Sequence, residues 1–412
     1  MNDKKPFPFS RRQFIDTAVK VTAVGTLAYV QMSGCGSEAS EVTPPPENKH
    51  VFLSKPYLHT LQHDRMSIRW LTNKPSFSWI EYGEAGKLDK KAMLVVDGML
   101  NAYNRVHEIY LNNLEPGKSY QYRVASKEIT EFKPYEVTYG ETIYSDAYTF
   151  TTIANDTKVL SWLILNDLHD RPDSFPDLLQ LNKKDPYDFV FLNGDMFNYQ
   201  TDEQQIIDHL LIPCTNDFAT EKPMLFVRGN HEARGKFARE LKNYFSFPQG
   251  QYFTFHWGPV FAIVLDTGED KKDDHPVYAG LVDFDAYRIQ QAIWMEKIMQ
   301  TPAYINATYK VVLMHIPPFY SRDQHGELHC RQFFSPLFDK YKVDIVIAGH
   351  THVYGVHPPV KDQHRYPIII GGGPEIGKRT LIKVKADQQQ LIVQMLNDDN
   401  KVVGTYTVAA TV

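Results

Sequence analysis

Five short apolar runs, Val159 to Leu165, Phe189 to Leu192, Met224 to Val227, Val311 to Met314 and Val343 to Ala348, each stop just short of a carboxylate, amide or imidazole side chain. At four to seven residues they suit strands buried on both faces. In an open α/β sheet the carboxyl ends of parallel strands share one edge, so groups far apart in sequence converge there. The polar residues that follow the runs are Asp167 and His169, then Asp195, then Asn230, then His315, and finally His350 and His352.

A chain of 412 residues is long for one core, and we read it as two domains. With 43% hydrophobic and 23% charged residues, and 24 each of Tyr and Phe, it has the make-up of an ordinary globular protein with aromatic strands. A formal charge of -5 leaves no electrostatic footprint for a polyanion, which argues against nucleic acid as a partner.

Residues 1–35 read as an export signal: Lys4 and Lys5, then Ser10-Arg11-Arg12-Gln13-Phe14-Ile15, then an apolar stretch from Val21 to Met32 that is too short to span a bilayer. Ser-Arg-Arg-x-Phe-Ile resembles the bacterial twin-arginine address, which is associated with export of folded proteins. Met32-Ser33-Gly34-Cys35 resembles a lipoprotein cleavage box, with Cys35 as the lipid-bearing residue. A simple cleaved signal with an incidental Cys is the alternative. Both predict the cell envelope, and any contact with a membrane would run only through a lipid on Cys35. The remaining thiols, Cys214 and Cys330, form no Cys-x-x-Cys motif and no disulfide framework; whether they pair is open.

Residues 36–50, rich in Ser, Glu and Pro, have the composition of a flexible linker. Residues 51–155 alternate as strands: Met66 to Leu71, Ser78 to Tyr82, Val106 to Leu111, Tyr120 to Ser126 and Tyr148 to Thr152. Turn signals such as Glu115-Pro116-Gly117 separate them, as in a β-sandwich. In residues 156–412 strands alternate with helical patterns at Asp177 to Asn182, Glu203 to Leu210 and Phe284 to Met299, predicting an α/β catalytic domain. Three late strands, Arg379 to Lys385, Leu391 to Leu396 and Lys401 to Val408, are expected to pair on the same sheet.

Taken singly, most of the polar clusters have plain explanations. Asp167-Leu168-His169 is a short loop cap by default, and in Asn193-Gly194-Asp195 the Gly permits a tight turn while the Asp caps a helix. Gly229-Asn230-His231-Glu232 is more specific, since Gly admits close backbone approach and Asn offers a neutral oxygen. His315, before Pro317 and Pro318, has the plain reading of a core histidine. Gly349-His350-Thr351-His352 is the most specific piece, because two imidazoles at alternate positions can address two ions from one turn.

In this order the five pieces resemble the calcineurin-like metallophosphoesterase superfamily, over residues 158 to 385. With the preceding strands, where Leu114 to Tyr122 is similar to a fibronectin type III signature and Tyr120 is the candidate corner tyrosine, the likeness extends to the purple acid phosphatase branch over residues 51 to 412. The resemblance implies a four-layer α/β/β/α sandwich preceded by an all-β fibronectin-like sandwich. It implies two metal ions, the first held by Asp167, His169 and His352, the second by Asn230, His315 and His350, with Asp195 bridging ions about 3.5–4 Å apart. It further implies hydrolysis of a phosphate ester by metal-activated water, with His231 binding phosphate and acting on the leaving oxygen and Glu232 orienting that imidazole or lying on the surface. In the segment Pro317 to Arg331 it makes His325 a substrate-contacting acid and Arg322 a phosphate ligand; Arg331 is a further candidate.

The purple branch has Gly-Asp-x-x-Tyr, whose Tyr binds ferric iron. Here Asn198 stands at that position and Tyr199 falls one later. The departure predicts two divalent ions instead, with manganese, zinc, iron or cobalt all compatible with oxygen and nitrogen ligands. Phosphomonoesters are the leading substrates. The ligand set does not fix the number of ester groups, so phosphodiesters remain the alternative, followed by an inactive surface binding protein.

Overall fold

A computed structural model describes residues 49–410 apart from 60, 61, 85, 246, 248 and 249. The export signal at 1–35 with Cys35, and nearly all of the linker, lie outside the described residues. Among the described residues no helix is long and apolar enough to cross a membrane.

Two six-stranded sheets form the centre of the molecule. In the first, the parallel strands Met224–Val227, Phe189–Asn193 and Leu160–Leu165 lie side by side. Thr380–Ala386 then runs antiparallel to Leu160–Leu165, followed by Gln390–Asn397 and Val402–Ala409. The three late strands thus complete this sheet. In the second, Val260–Leu265, Tyr309–Met314, Ile345–Ala348 and Ile368–Ile370 are parallel, and the antiparallel strands Phe253–Trp257 and Gly355–His357 close its two edges.

The sheets face one another across an apolar core that includes Trp162, Phe189, Phe191, Val260, Val311 and Ile347. The alternate residues of the same strands point outward, as period-two side-chain alternation requires. Leu163, Leu192 and Phe226 pack under Phe175, Leu178, Ile206 and Leu210. On the other side Ile263, Met314 and Val346 pack under Met295, Met299, Phe334 and Phe338. Helix, sheet, sheet and helix therefore stack as four layers. This double burial is why the strands read as unbroken apolar runs.

The helical segments differ in detail from their sequence patterns. The first helix begins earlier, at Ser174–Leu179, with one tighter turn over Gln180–Asn182. The segment from Glu203 to Asp217 widens into a π-helical turn over Ile207–Leu211, just ahead of Pro213, whose ring nitrogen has no hydrogen to give the helix. Helices His325–Phe333 and Ser335–Lys340 were masked in the sequence by their polar and Pro residues. Cys214 and Cys330 are both free and sit in the cores on opposite sides of the paired sheets. Trp294 packs partly buried against the second helical layer.

The N-terminal strands build a separate core around Trp70, Ile109, Tyr122 and Phe150. Two runs that read as distinct strands are one strand of 20 residues, Arg65–Glu84. Its first half pairs with Ala102–Asn112 and its second half with Ser119–Lys133, with the register broken between Leu71 and Ser76. The break lets one strand pair with two different partners within a single seven-stranded sheet. Tyr120 is buried, and its hydroxyl accepts the Glu115 amide hydrogen at 2.9 Å, the local bond of a corner tyrosine. The strands are joined to the larger body by the Tyr122 hydroxyl donating to Thr220 O at 2.8 Å, by Tyr57 donating to Tyr244 O at 2.9 Å, and by an Arg105–Glu203 ion pair.

Replacing Tyr120 by Phe removes only the acceptor for Glu115. We expect a loss of about 1 kcal/mol in urea unfolding monitored by fluorescence, with the metal content unchanged; no measurable loss would remove the corner bond from the structural account.

Candidate metal centre

The carboxyl ends of five parallel strands, three from the first sheet and two from the second, meet at one rim. Loops from the two sheets are tied together before any ligand side chain is considered. Asn193 donates through Nδ2 to Met314 O at 3.1 Å, and His315 Nδ1 donates to Asn193 O at 2.8 Å. Backbone bonds Asp167 N to Gly194 O and His169 N to Asp195 O, both 3.0 Å, extend the ladder past the strand ends. Gly194 and Gly229 are required by contact: a Cβ on Gly229 would lie 2.2 Å from Asp195 Oδ1, and one on Gly194 2.5 Å from Gly229 N.

Potential ligand atoms fall into two groups that share one carboxylate. Asp167, His169, Asp195 and His352 form the first; Asp195, His315 and His350 form the second. Asn230 joins the second, its Oδ1 lying 2.9 Å from His350 Nδ1. All seven residues singled out in the sequence are thereby brought together. Asp195 Oδ2 stands 3.1 Å from His315 Nε2 and 3.7 Å from His169 Nε2, and Asp167 Oδ1 stands 3.4 Å from His352 Nε2. His169 and His352 point their Nε2 atoms at each other across 3.0 Å.

The donor chemistry fits cations. His315 is fully buried, yet its Nε2 has no well-aligned hydrogen-bond partner. Burial holds His169 and His350 down to about 4, against the pull of Asp195 and Asp167. Burial opposes a charge on His315 as well, but the Asp195 and Asp167 carboxylates raise it to about 10. In Asp195, burial is outweighed by His315, His231 and His169, and the carboxyl is held well below the usual range. The centre thus demands positive charge, which two ions satisfy while leaving the imidazoles neutral as ligands.

Five of the seven residues lie in the left-handed backbone region: Asp167 (φ 53°), His169 (φ 50°), Asp195 (φ 55°), His350 (φ 74°) and His352 (φ 56°). Each such residue costs about 1 kcal/mol or more, so something must hold the loops. Glu232 does this for the Asp195 loop. It is fully buried, and its two carboxylate oxygens accept the amide hydrogens of Asp195, Met196, Phe197 and Gly229 at 2.6–3.2 Å. Glu232 is therefore neither a surface residue nor the orienter of His231. Burial and the adjacent Asp195 push its pKa up to about 7, against the backbone donors; with each oxygen taking two N–H groups, the ionised acceptor-only form suits the geometry.

His231 is oriented by other groups. Its Nδ1 donates to Asn198 O at 2.7 Å, and its Nε2 accepts from Arg234 Nη1 at 3.0 Å, since a guanidinium can only donate. In this arrangement Nε2 carries no proton to give a leaving group. Asp170 supports the same wall, accepting from Asn198 N and Nδ2, from Gln205 Nε2 and from His209 Nδ1.

The remaining sequence candidates are placed differently. His325 Nε2 contacts both oxygens of Asp285 at 2.8 and 2.9 Å, so the atom expected to act on substrate is engaged by a carboxylate. Arg322 is exposed with φ 63°, outside the two ligand groups. Arg331 bonds Glu327, Asp323 and Pro318 O. Sequence reasoning missed Arg234, Glu269, Asn166 and Asp170. Asn166 and Asp170 flank the Asp-x-His piece, and that adjacency was the available signal.

Four layers with a dinuclear ligand set at the strand ends define a metallophosphoesterase. Residues 160–354 match the family model described as calcineurin-like phosphoesterase. Its homologues are acid phosphatases. It is 26% identical over 340 residues to "Acid phosphatase type 7" of Mus musculus, covering 75% of this chain and 70% of that one. To "Purple acid phosphatase 21" of Arabidopsis thaliana it is 24% identical over 355 residues, covering 80% and 71%. The structure of purple acid phosphatase PPD1 from yellow lupin (Lupinus luteus) seeds superposes with a TM-score of 0.64 at 16% identity over 86% of this chain and 74% of that one, a likeness of fold. The chain is thus a purple acid phosphatase-like dimetal phosphoesterase with a His/Asp metal site.

Substituting Ala for Glu232 leaves four loop N–H groups without their acceptor. We expect a destabilisation of at least about 3 kcal/mol in thermal unfolding, together with loss of bound metal by elemental analysis; an Ala variant with wild-type stability and two ions would show that Glu232 does not hold the loops.

Proposed function

We propose that this protein hydrolyses phosphomonoesters at the two-ion centre and does so in the cell envelope. The observation that carries the catalytic part is Asp195, whose carboxylate belongs to both ligand groups. A shared carboxylate lets two cations sit close together while each keeps positions for substrate. Bound there, the ions supply Lewis acidity toward phosphoryl oxygens and lower the pKa of water to yield a nucleophile near neutral pH.

The chain's own residues then have distinct tasks. Asp167, His169 and His352 hold one ion; Asn230, His315 and His350 hold the other. Asn193 and Asn166 steady the ligands: Asn193 accepts from His315 Nδ1 at its carbonyl, and Asn166 donates to Asp167 Oδ2 at 2.6 Å and Gly372 O at 2.9 Å. Such outer bonds set ligand orientation and basicity. His231, next to Asp195, lines the place where the phosphoryl group lies.

Both ions are divalent in this reading. At the position of the purple branch's tyrosinate, Asn198 instead donates its amide to Asp170 and gives its carbonyl to His231, while Tyr199 is 56% exposed. The envelope assignment rests on the sequence of residues 1–35 alone.

Four measurements test this. Wild-type protein with two bound ions should release the chromophore from a chromogenic monoester faster than from a matched diester, and Asp195→Ala should lose that activity. Chelation should abolish it and divalent ions restore it; equal activity in the variant, or a fully metallated wild type that is inert, refutes the proposal. Purified protein should show no visible charge-transfer band, so a purple preparation would overturn the divalent assignment. Cys35→Ser should move the protein from the membrane pellet to the soluble fraction if Cys35 carries lipid.

A further inference from the structure

Arg234 follows the short helical turn His231–Ala233 and reaches back along it. One edge of its guanidinium is occupied: Nε lies 3.0 Å from Glu269 Oε1, and Nη2 lies 2.9 Å from Glu269 Oε2 and 3.3 Å from Asp270 Oδ1. Glu269 is buried and also takes the Tyr278 hydroxyl at 2.8 Å, while Asp270 pairs with Lys271 at 2.7 Å. This clamp fixes the guanidinium plane. The other edge points elsewhere: Nη1 donates to His231 Nε2 at 3.0 Å, and that same Nε2 is 3.9 Å from Asp195 Oδ2.

A purely structural ion pair needs only the edge facing Glu269. Nη1 carries two hydrogens, of which His231 takes one, and no described residue is recorded as accepting the second. The side chain keeps 28% of its surface exposed. A rigid cation with a spare N–H thus stands one imidazole away from the carboxylate shared by both ligand groups. Its charge persists at any working pH, and a preorganised planar fork suits phosphate oxygens better than a mobile lysine. His231, as an acceptor at Nε2, presents no donor there, so the donor at this wall of the centre is the arginine.

We propose that Arg234 binds the phosphoryl oxygens of the substrate through its Nη1 edge and thereby favours the dianionic monoester over the monoanionic diester. The assignment builds on the phosphomonoesterase reading above. Arg234 contacts the substrate anion, and Glu269 acts as its positioning residue.

The test is titration calorimetry of inorganic phosphate into the two-ion protein. Arg234→Gln would strand the buried Glu269 charge, so the charge-balanced Arg234→Gln/Glu269→Gln variant is measured beside it. Both should bind phosphate about ten- to hundredfold more weakly with both ions retained by elemental analysis, and Arg234→Lys should recover part of the loss. In kinetics the same variants should raise KM for 4-nitrophenyl phosphate and lower the ratio of monoester to diester kcat/KM. Phosphate affinity within about twofold of wild type in a glutamine variant that keeps both ions overturns the proposal. A wild type that binds phosphate but cleaves neither ester refutes the phosphomonoesterase reading instead, and the calorimetric comparison still decides the role of Arg234.

Discussion

Two buried carboxylates, Asp167 and Asp195, and four imidazoles are confined to the seam between two sheets. In the chain by itself one proton is drawn onto His315 against the cost of burial, while His169 and His350 are kept neutral. Unpaired buried charge is expensive. The centre is therefore built for cations, and the strained loops that present it make sense only as parts of a cation site. Left-handed backbone at Asp167, His169, Asp195, His350 and His352 is tolerated because Asp and His are among the residues best suited to it and because the loops bond one another: Asp195 O takes the His169 amide, Asp167 takes the His350 amide and Glu232 takes the Asp195 amide.

The scaffold supplies the rigidity this strain requires. Each ligand lies within a few residues of a strand fully buried on both faces, so its Cα is fixed by sheet register and by two apolar layers. Asn193 and His315 then bind the sheets to one another at the rim. A site on such elements is more precise than one carried on long loops. The environment also differentiates chemically similar residues: of the acidic groups near the centre, Asp195 faces imidazoles, Glu232 faces backbone amides and Glu269 faces a guanidinium.

Much of this was written in the sequence. The five apolar runs correspond closely to strands because most of their residues are buried on both faces, and Asp167, His169, Asp195, Asn230, His315, His350 and His352 converge because parallel strands share an edge. What stayed hidden depended on pairing across long distances. Phe253–Trp257 and Val260–Leu265 form a tight antiparallel pair that residue patterning alone does not separate from its surroundings. The change of partner within Arg65–Glu84 is set by its neighbours and not by its own residues. Glu232 reads in the sequence as an orienter of His231 or a surface residue because its true partners are backbone amides, which leave no trace in side-chain patterns. His325 sat at a plausible spacing, but Asp285, 40 positions away, determines what its imidazole does.

The pairing of Leu160–Leu165 with Thr380–Ala386 has a temporal consequence. The strand that carries Asp167 has one edge open until residues far downstream exist, and Asn166 reaches its carbonyl partner only at Gly372, 206 positions later. A ribosome therefore makes Asp167 and His169 long before the strand that steadies them, and a chain that stopped after His352 would carry all seven ligand residues while lacking Thr380–Ala386.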